Sequence, residues 1–333
     1  MSAASSLPLL RASLLPELPV LQPGGPLAAQ LAHHFWGFTL ICTLVWLLVM
    51  LVLALALLHR RRDRQAAPTA RPDPAAERRI HWLIGMAVVV TTLVLLILNL
   101  DSYRTDNDLS RLDQQTTLTI RITGHQWWWE VTYEDPQPAH MLTTANEIHI
   151  PVGQPVKFKL TSSDVIHSFW VPSLMGKMDL ITGRENELVL QADRPGIYQG
   201  QCAEFCGMQH AYMRLLVIAE PAAAFSAWQA RQLQPAQPPS DPARQRGLQV
   251  FLSQPCLMCH QIRGTQAAGM VAPDLTHLAS RRMLGAGRLT NSAGNLAAWI
   301  VDPQQLKPGV NMPVMNLPPQ DLRALLSYLE GLQ

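Results

Sequence analysis

Two stretches of this chain, Phe35 to Leu58 and Ile80 to Leu100, contain no Asp, Glu, Lys or Arg. Each matches or exceeds the roughly 20 apolar residues that cross a bilayer as a helix. A core helix of a soluble domain seldom needs so long an apolar run. A chain with two such runs close together must first fold as a membrane hairpin. The residues between the runs orient it: His59-Arg60-Arg61-Arg62-Asp63-Arg64, then Arg71, Arg78 and Arg79, form a dense basic loop. Positive loops stay in the cytoplasm, so the N-terminus and everything after Leu100 lie on the outer side. Cys42, inside the first span, reads as a small apolar packing residue. Residues 1–33 read as an outer tail. Arg11 and scattered leucines hint at a signal segment, but Pro8, Pro16 and Pro19 interrupt the apolar run. A net charge of +2 over 333 residues, with 15% charged and 48% hydrophobic residues, fits a membrane protein and excludes a nucleic-acid binder.

Beyond the hairpin (34–105) the hydrophobic period changes. Thr117 to Thr123, Glu147 to Pro151 and Val156 to Leu160 alternate with a period of two, and Glu187 to Leu190 and Arg214 to Ile218 read as further strands. Pro151-Val152-Gly153 and Arg194-Pro195-Gly196 supply turns. Short strands without intervening helices predict an all-β sandwich or Greek-key barrel over 106–220. The cluster Trp127-Trp128-Trp129 reads first as packing. Alternation cannot bury all three rings on one face, so at least one is expected to be exposed or at the membrane surface. His125, His140 and His149 lack ligand-like spacing and read as structural.

Within this β region, Gln201 to Met213 reads Q-C-A-E-F-C-G-M-Q-H-A-Y-M. Two thiols, an imidazole and a thioether at the spacing C-x3-C-x3-H-x2-M form a soft donor set that suits copper. Structural zinc would have little use for Met213. A Cys202–Cys206 disulfide is the plain alternative, but it leaves His210 and Met213 unexplained. His167, at the end of an apolar β-prone stretch, is the candidate for a further ligand.

His167, Cys202, Glu204, Cys206, His210 and Met213 together resemble the dinuclear copper (CuA) site of subunit II of haem-copper oxidases. Gly124-His125-Gln126-Trp127-Trp128-Trp129, Asp164-Val165-Ile166-His167-Ser168-Phe169 and Arg194-Pro195-Gly196-Ile197-Tyr198 extend the resemblance, which covers roughly Phe35 to Pro221. It implies a cupredoxin-like barrel. It also implies Cys202 and Cys206 as bridging thiolates, His167 and His210 as terminal ligands, and Met213 and the Glu204 carbonyl as weak ligands. The copper pair would share one electron, so ligand geometry barely changes on reduction. Trp127 would be the point of electron entry. The family often carries a glutamate at the cytoplasmic start of the second span, on a proton path. Here that stretch is Glu77-Arg78-Arg79-Ile80-His81-Trp82, and Arg79 stands where the acid is expected.

A second composition shift begins at Pro221. Residues 221–243, rich in Gln and Pro toward their end, read as a semi-rigid linker. Cys256-Leu257-Met258-Cys259-His260 then matches the C-x-x-C-H signature of covalent haem c attachment, with His260 as proximal ligand. A redox-active dithiol is the rival reading, but it has no use for His260. Ala243 to Leu252 and Pro319 to Leu332 read as amphipathic helices, and 244–333 resembles a class I cytochrome c, a small all-α domain. That resemblance implies Met312 as distal ligand, with Met315 the competitor, and Pro273 as the residue whose carbonyl orients His260.

These resemblances imply the electron-input subunit II of a terminal cytochrome c oxidase with its donor fused to it, in a bacterial cytoplasmic membrane, both redox domains on the periplasmic face. Electrons would enter at a covalent haem c from an external cytochrome c or other donor. They would pass to the dinuclear copper centre and then to a catalytic subunit I that reduces oxygen, accompanied by subunit III and coupled to proton translocation. No oxygen-reducing ligand set occurs in this chain. A nitric oxide reductase-type complex and a membrane-tethered electron carrier remain alternatives.

Overall fold

The computed structural model describes residues 20–63 and 74–333; the expected outer tail up to residue 19 and the centre of the basic loop lie outside the described residues. Two compact units emerge, 30–114 and the remainder. The first contains most of helices α1 (Pro26–Asp63) and α2 (Pro74–Asp113). Both are long and apolar enough to cross a membrane. They extend beyond the uncharged runs because helix formation continues into flanks of good helix formers such as Ala, Gln, Glu and Arg. Their apolar side chains point outward; Trp46 is 59% and Leu96 55% exposed. A soluble monomer does not display so much apolar surface, whereas hydrocarbon accepts it. Cys42 is exposed too, so it does not pack within the chain as expected. His34 joins the helices, pairing with Asp101 at 3.1 Å and bonding the Thr105 hydroxyl at 2.9 Å.

In the second unit, ten strands make two sheets. They are β1 (Leu118–His125), β2 (Trp128–Glu134), β3 (Leu142–Ala145), β4 (Glu147–Pro151), β5 (Val156–Ser162), β6 (His167–Trp170), β7 (Met178–Leu180), β8 (Asn186–Leu190), β9 (Gly196–Cys202) and β10 (Arg214–Glu220). The sheet orders are β3-β2-β1-β5-β8 and β4-β10-β9-β6-β7. The β1–β5 and β4–β10 pairs are parallel and the rest antiparallel. Ile120, Ile122, Phe158 and Leu160 from one sheet and Ile148, Ile150 and Phe169 from the other are wholly buried. Phe158 and Phe169 stack across the gap with centroids 5.5 Å apart. Alternation placed β1, β4, β5, β8 and β10. The short or irregular strands β3, β6, β7 and β9 carry too little of it to be read, whereas β2 alternates strictly and was hidden by the tryptophan cluster that opens it.

No tryptophan of the 127–129 cluster is exposed, which corrects the expectation. The chain turns between β1 and β2, so Trp127 escapes the alternation and is 8% exposed. Trp129 points into the core, and Trp128 is half-buried, stacked on His125 at 4.3 Å.

The expected linker 221–243 also needs correction. Its first half is helix α3 (Ala222–Gln232), which buries Phe225 and Trp228. Trp228 stacks on His149 at 4.1 Å. The end of α3 and the residues after it are held by partners distant in sequence: Arg263 donates to the Gln232 and Leu233 carbonyls, and the Ala236 amide donates to the Arg263 carbonyl at 2.9 Å. Gln/Pro composition suggested a semi-rigid linker, and these long-range partners left no local trace.

The remaining residues form helices α4 (Pro242–Ser253), α5 (Cys256–Cys259), α6 (Ala293–Val301), α7 (Pro303–Leu306) and α8 (Pro319–Leu329), with a two-stranded ribbon, β11 (Met283–Leu284) and β12 (Leu289–Thr290). Asp241 caps α4 by accepting from the Arg244 amide, and Pro242 opens its first turn, where a missing N–H costs nothing. Val250 and Phe251 of α4 and Leu325, Tyr328 and Leu329 of α8 share one core with Ile262, Leu296 and Ile300.

Candidate copper and haem sites

Strand pairing assembles the soft donors. β6 lies beside β9 with Phe169 opposite Cys202, and β9 lies beside β10. His167 opens β6, Cys202 closes β9, and the β9–β10 connection carries Glu204, Cys206, His210 and Met213. The Cys202 and Cys206 sulfurs stand 3.8 Å apart. That is well beyond the roughly 2.05 Å of a disulfide, and both thiols are free. Cys206 Sγ lies 3.6 Å from His210 Nδ1 and 3.8 Å from Met213 Sδ. Cys202 Sγ lies 4.0 Å from His167 Nδ1 and 3.1 Å from the Glu204 carbonyl. All six expected donors therefore converge. His167 and Met213 are fully buried, and each cysteine is 2% exposed.

The donors fit a pair of soft metal ions. Hydrogen bonding from Cys206 pushes the Cys202 thiol down to about 4, and the same pairing pushes Cys206 up. Two thiols so close lose one proton readily and resist losing the second. Metal cations would offset the repulsion between two thiolates.

Surrounding groups aim these ligands. Asp164 Oδ1 lies 2.7 Å from His167 Nε2, which leaves Nδ1 facing the thiols. Its other oxygen accepts from the Gln126 amide at 2.7 Å. Sequence reading quoted Asp164 but gave it no role, although its place three residues before a proposed ligand was the available signal. Trp127 Nε1 and Gln126 Nε2 both donate to the Cys206 carbonyl at 2.8 Å. A Cβ on Gly207 would come within 3.1 Å of the Trp127 ring, and its φ of +109° is one that side chains resist. Glycine here lets the indole lie against the ligand loop.

At the second site, Cys256 and Cys259 lie on α5 and His260 follows directly. His260 Nδ1 is 2.7 Å from the Pro273 carbonyl. Burial pushes the imidazole below its ordinary value, favouring the neutral ring that ligates iron. Nδ1 donates to the carbonyl, so Nε2 keeps its lone pair. Both thiols are free. Met258, 65% exposed between them, and Met270, 79% exposed, are apolar surface that a porphyrin would help to cover. Met312 and Met315 both pack against the core of this domain. Gln304 Nε2 holds the Met312 carbonyl at 2.9 Å, and the Met315 amide donates to Val301 at 3.2 Å.

Residues 118–220 match the family described as cytochrome c oxidase subunit II, periplasmic domain, and residues 245–333 match cytochrome c. Cytochrome c oxidase subunit 2 of Alkalihalophilus pseudofirmus is 33% identical over 321 residues, covering 95% of this chain and 91% of that protein. Its namesake from Bacillus sp. strain PS3 is 30% identical, covering 83% and 80%. Among solved structures, the periplasmic domain of subunit II of cytochrome oxidase from Bradyrhizobium japonicum is 31% identical, with a TM-score of 0.33, covering 35% of this chain and 94% of that one. The chain belongs to the cytochrome c oxidase subunit II family and carries a C-terminal cytochrome c domain.

Proposed function

We propose that this chain is the electron-input subunit of a terminal oxidase of a bacterial cytoplasmic membrane, with its β domain and cytochrome domain on the periplasmic face. Cys256, Cys259 and His260 would hold a covalent haem c. Cys202, Cys206, His167, His210, Met213 and the Glu204 carbonyl would hold a dinuclear copper centre. When bound, the two groups would exchange single electrons, the haem iron oxidised by one as the copper pair is reduced by one, with no atom transferred. The partners are a catalytic subunit I that reduces oxygen and translocates protons, a subunit III, and an external cytochrome c or other donor. The observation that carries this reading is the convergence of three sulfurs, two imidazoles and the Glu204 carbonyl, with Trp127 laid against their loop.

The residues divide the work. Asp164 and Pro273 fix the faces that His167 and His260 present. Burial keeps water from the three sulfur ligands and from His167. Trp127 joins the ligand loop through one hydrogen bond and is the assigned point of electron entry.

The test is purification of the complex from its native membrane. Two coppers and one haem per chain are expected, with a catalytic subunit and oxygen uptake from reduced cytochrome. Nitric oxide consumption without oxygen uptake would assign the chain to the other enzyme class. Recovery without a catalytic subunit would leave a tethered carrier.

Met312 is assigned as the distal haem ligand. Pro313 stiffens the loop behind it, and Gln304 anchors its carbonyl. Met312→Ala is expected to abolish the near-infrared sulfur-to-iron band and lower the haem potential, since a methionine ligand raises it. Met315→Ala should retain the band. The reverse pattern would transfer the assignment to Met315.

A further inference from the structure

Lys307 is 1% exposed. Its ammonium donates to the carbonyls of Trp127 at 2.7 Å, Tyr212 at 2.8 Å and Gly285 at 2.9 Å. An ammonium has three N–H donors, and here all three are used. A wholly buried lysine whose recorded partners are backbone carbonyls is unusual, because removing the charge from water is costly. Burial pushes this group down to about 7.

The three carbonyls indicate what the ammonium does. Trp127 and Tyr212 belong to the β domain and flank the proposed copper ligands, whereas Gly285 and Lys307 itself belong to the cytochrome domain. One side chain therefore ties the proposed electron-entry residue, the ligand loop and the tip of the β11–β12 ribbon to a single point. Neighbouring bonds share the seam. Gln209 Nε2 donates to the Pro308 carbonyl at 2.7 Å, and the Arg214 amide donates to Ala286 at 3.0 Å. Two residues on from Lys307, a Cβ built on Gly309 would stand 3.4 Å from the Trp127 ring. Farther along the same interface, Glu147 accepts from the Arg282 and Met283 amides at 2.7 and 2.9 Å.

We infer that Lys307 is a positioning residue for electron transfer between the two domains: its ammonium clamps the loop at 307–309 of the cytochrome domain onto the Trp127 edge of the copper domain. The inference rests on the function proposed above and adds the device that sets the electron's path. An apolar residue of equal length would fill the space but bond none of the three carbonyls. The loop at 307–309 would then be free to shift against the Trp127 edge, while the neighbouring bonds keep the domains together. The clamp also explains why the fusion does more than raise local concentration: the donor is held in one orientation.

The test uses the complete oxidase with Lys307→Met, which keeps the length and apolar stem of the side chain. The copper and haem spectra and the rate of haem reduction by external cytochrome are expected to stay unchanged. Haem-to-copper transfer should slow by at least about tenfold, the scale of a small misplacement of reacting groups. The magnetic coupling between the two centres should weaken, and amide exchange should rise in 207–213 and 304–310 but not in β1 or β5. Unchanged transfer and coupling in Lys307→Met would overturn the clamp while leaving the subunit's function intact. Exchange in the unaltered protein guards against a variant that fails to fold. Rapid exchange of 304–310 there would overturn the clamp by itself. If instead the unaltered chain binds no copper or haem, the functional reading fails, and the exchange data still report on Lys307.

Discussion

Cys206→Ser is expected to eliminate the dinuclear copper signal and leave the haem spectrum unchanged. Cys206 occupies the hub of the donor set. Its sulfur lies within 3.8 Å of Cys202 Sγ, His210 Nδ1 and Met213 Sδ, whereas Cys202 reaches His167 and the Glu204 carbonyl on the other side. A bridging thiolate supplies soft, polarisable density to both metal ions. The serine hydroxyl is a hard donor that stays protonated at neutral pH, so it can neither bridge nor balance two copper charges. One copper, held by Cys202 and His167, is the most the site should retain. The electron-spin-resonance spectrum should change from an electron shared over two copper nuclei to one localised on a single nucleus, and metal analysis should fall by one copper or more per chain. Met213→Leu is the internal contrast. It removes a weak donor, conserves volume, and should keep both coppers at a shifted potential, because such a ligand tunes the site without assembling it. A Cys206→Ser protein that kept two coppers and a shared electron would eliminate Cys206 as a bridge and the whole ligand assignment with it.

The contrast between the two sites shows what a sequence can carry. The candidate copper donors were legible because five of the six fall between Cys202 and Met213, and a turn-sized segment needs no fold to bring its residues together. C-x-x-C-H is legible for the same reason. His167, at a distance, was reachable because it follows an apolar run, which the fold turns into β5, and it opens strand β6 beside β9. The long-range polar contacts were not legible. Lys307 sits in Gln305-Leu306-Lys307-Pro308-Gly309 and reads as an ordinary surface lysine. Only the packing of two domains provides its three carbonyls. Glu147 begins a strand and reads as a solvated end, yet burial pushes its carboxyl up to about 7 at the same interface. In each case the side chain's character is set by a neighbour more than a hundred residues away, and no local period or motif encodes that. The 221–243 segment erred for a related reason: composition predicts how a chain behaves alone, and α3 is stabilised by burying Phe225 and Trp228.

Gly247→Ala is expected to destabilise the cytochrome domain severely, against the ordinary sign of that substitution. In an exposed helix interior, alanine is better than glycine by about 1 kcal/mol. Gly247 lies in α4 where it crosses α8. A Cβ there would stand 2.1 Å from the Ala324 carbonyl oxygen, 2.6 Å from Tyr328 Cβ and 2.8 Å from the Ala324 carbonyl carbon. The first and third are backbone atoms of the partner helix, so no side-chain rotation relieves the clash and the two helices must separate. Separation loosens the core shared by Val250, Phe251, Leu325, Tyr328 and Leu329. Overpacking of this kind costs about 1–3 kcal/mol or more, a large fraction of the roughly 5–15 kcal/mol that holds a small domain together. Gly294→Ala, in α6, supplies the control, since a Cβ there meets nothing within 4 Å; it should be neutral or slightly stabilising. Thermal melting followed in the haem absorption band of the full chain reads both. Gly247→Ala should melt well below the unaltered protein and Gly294→Ala at or above it, while the copper spectrum stays the same in both. Equal melting of the two variants would mean that α4 and α8 do not cross at Gly247, and that the close packing assigned to this domain is wrong.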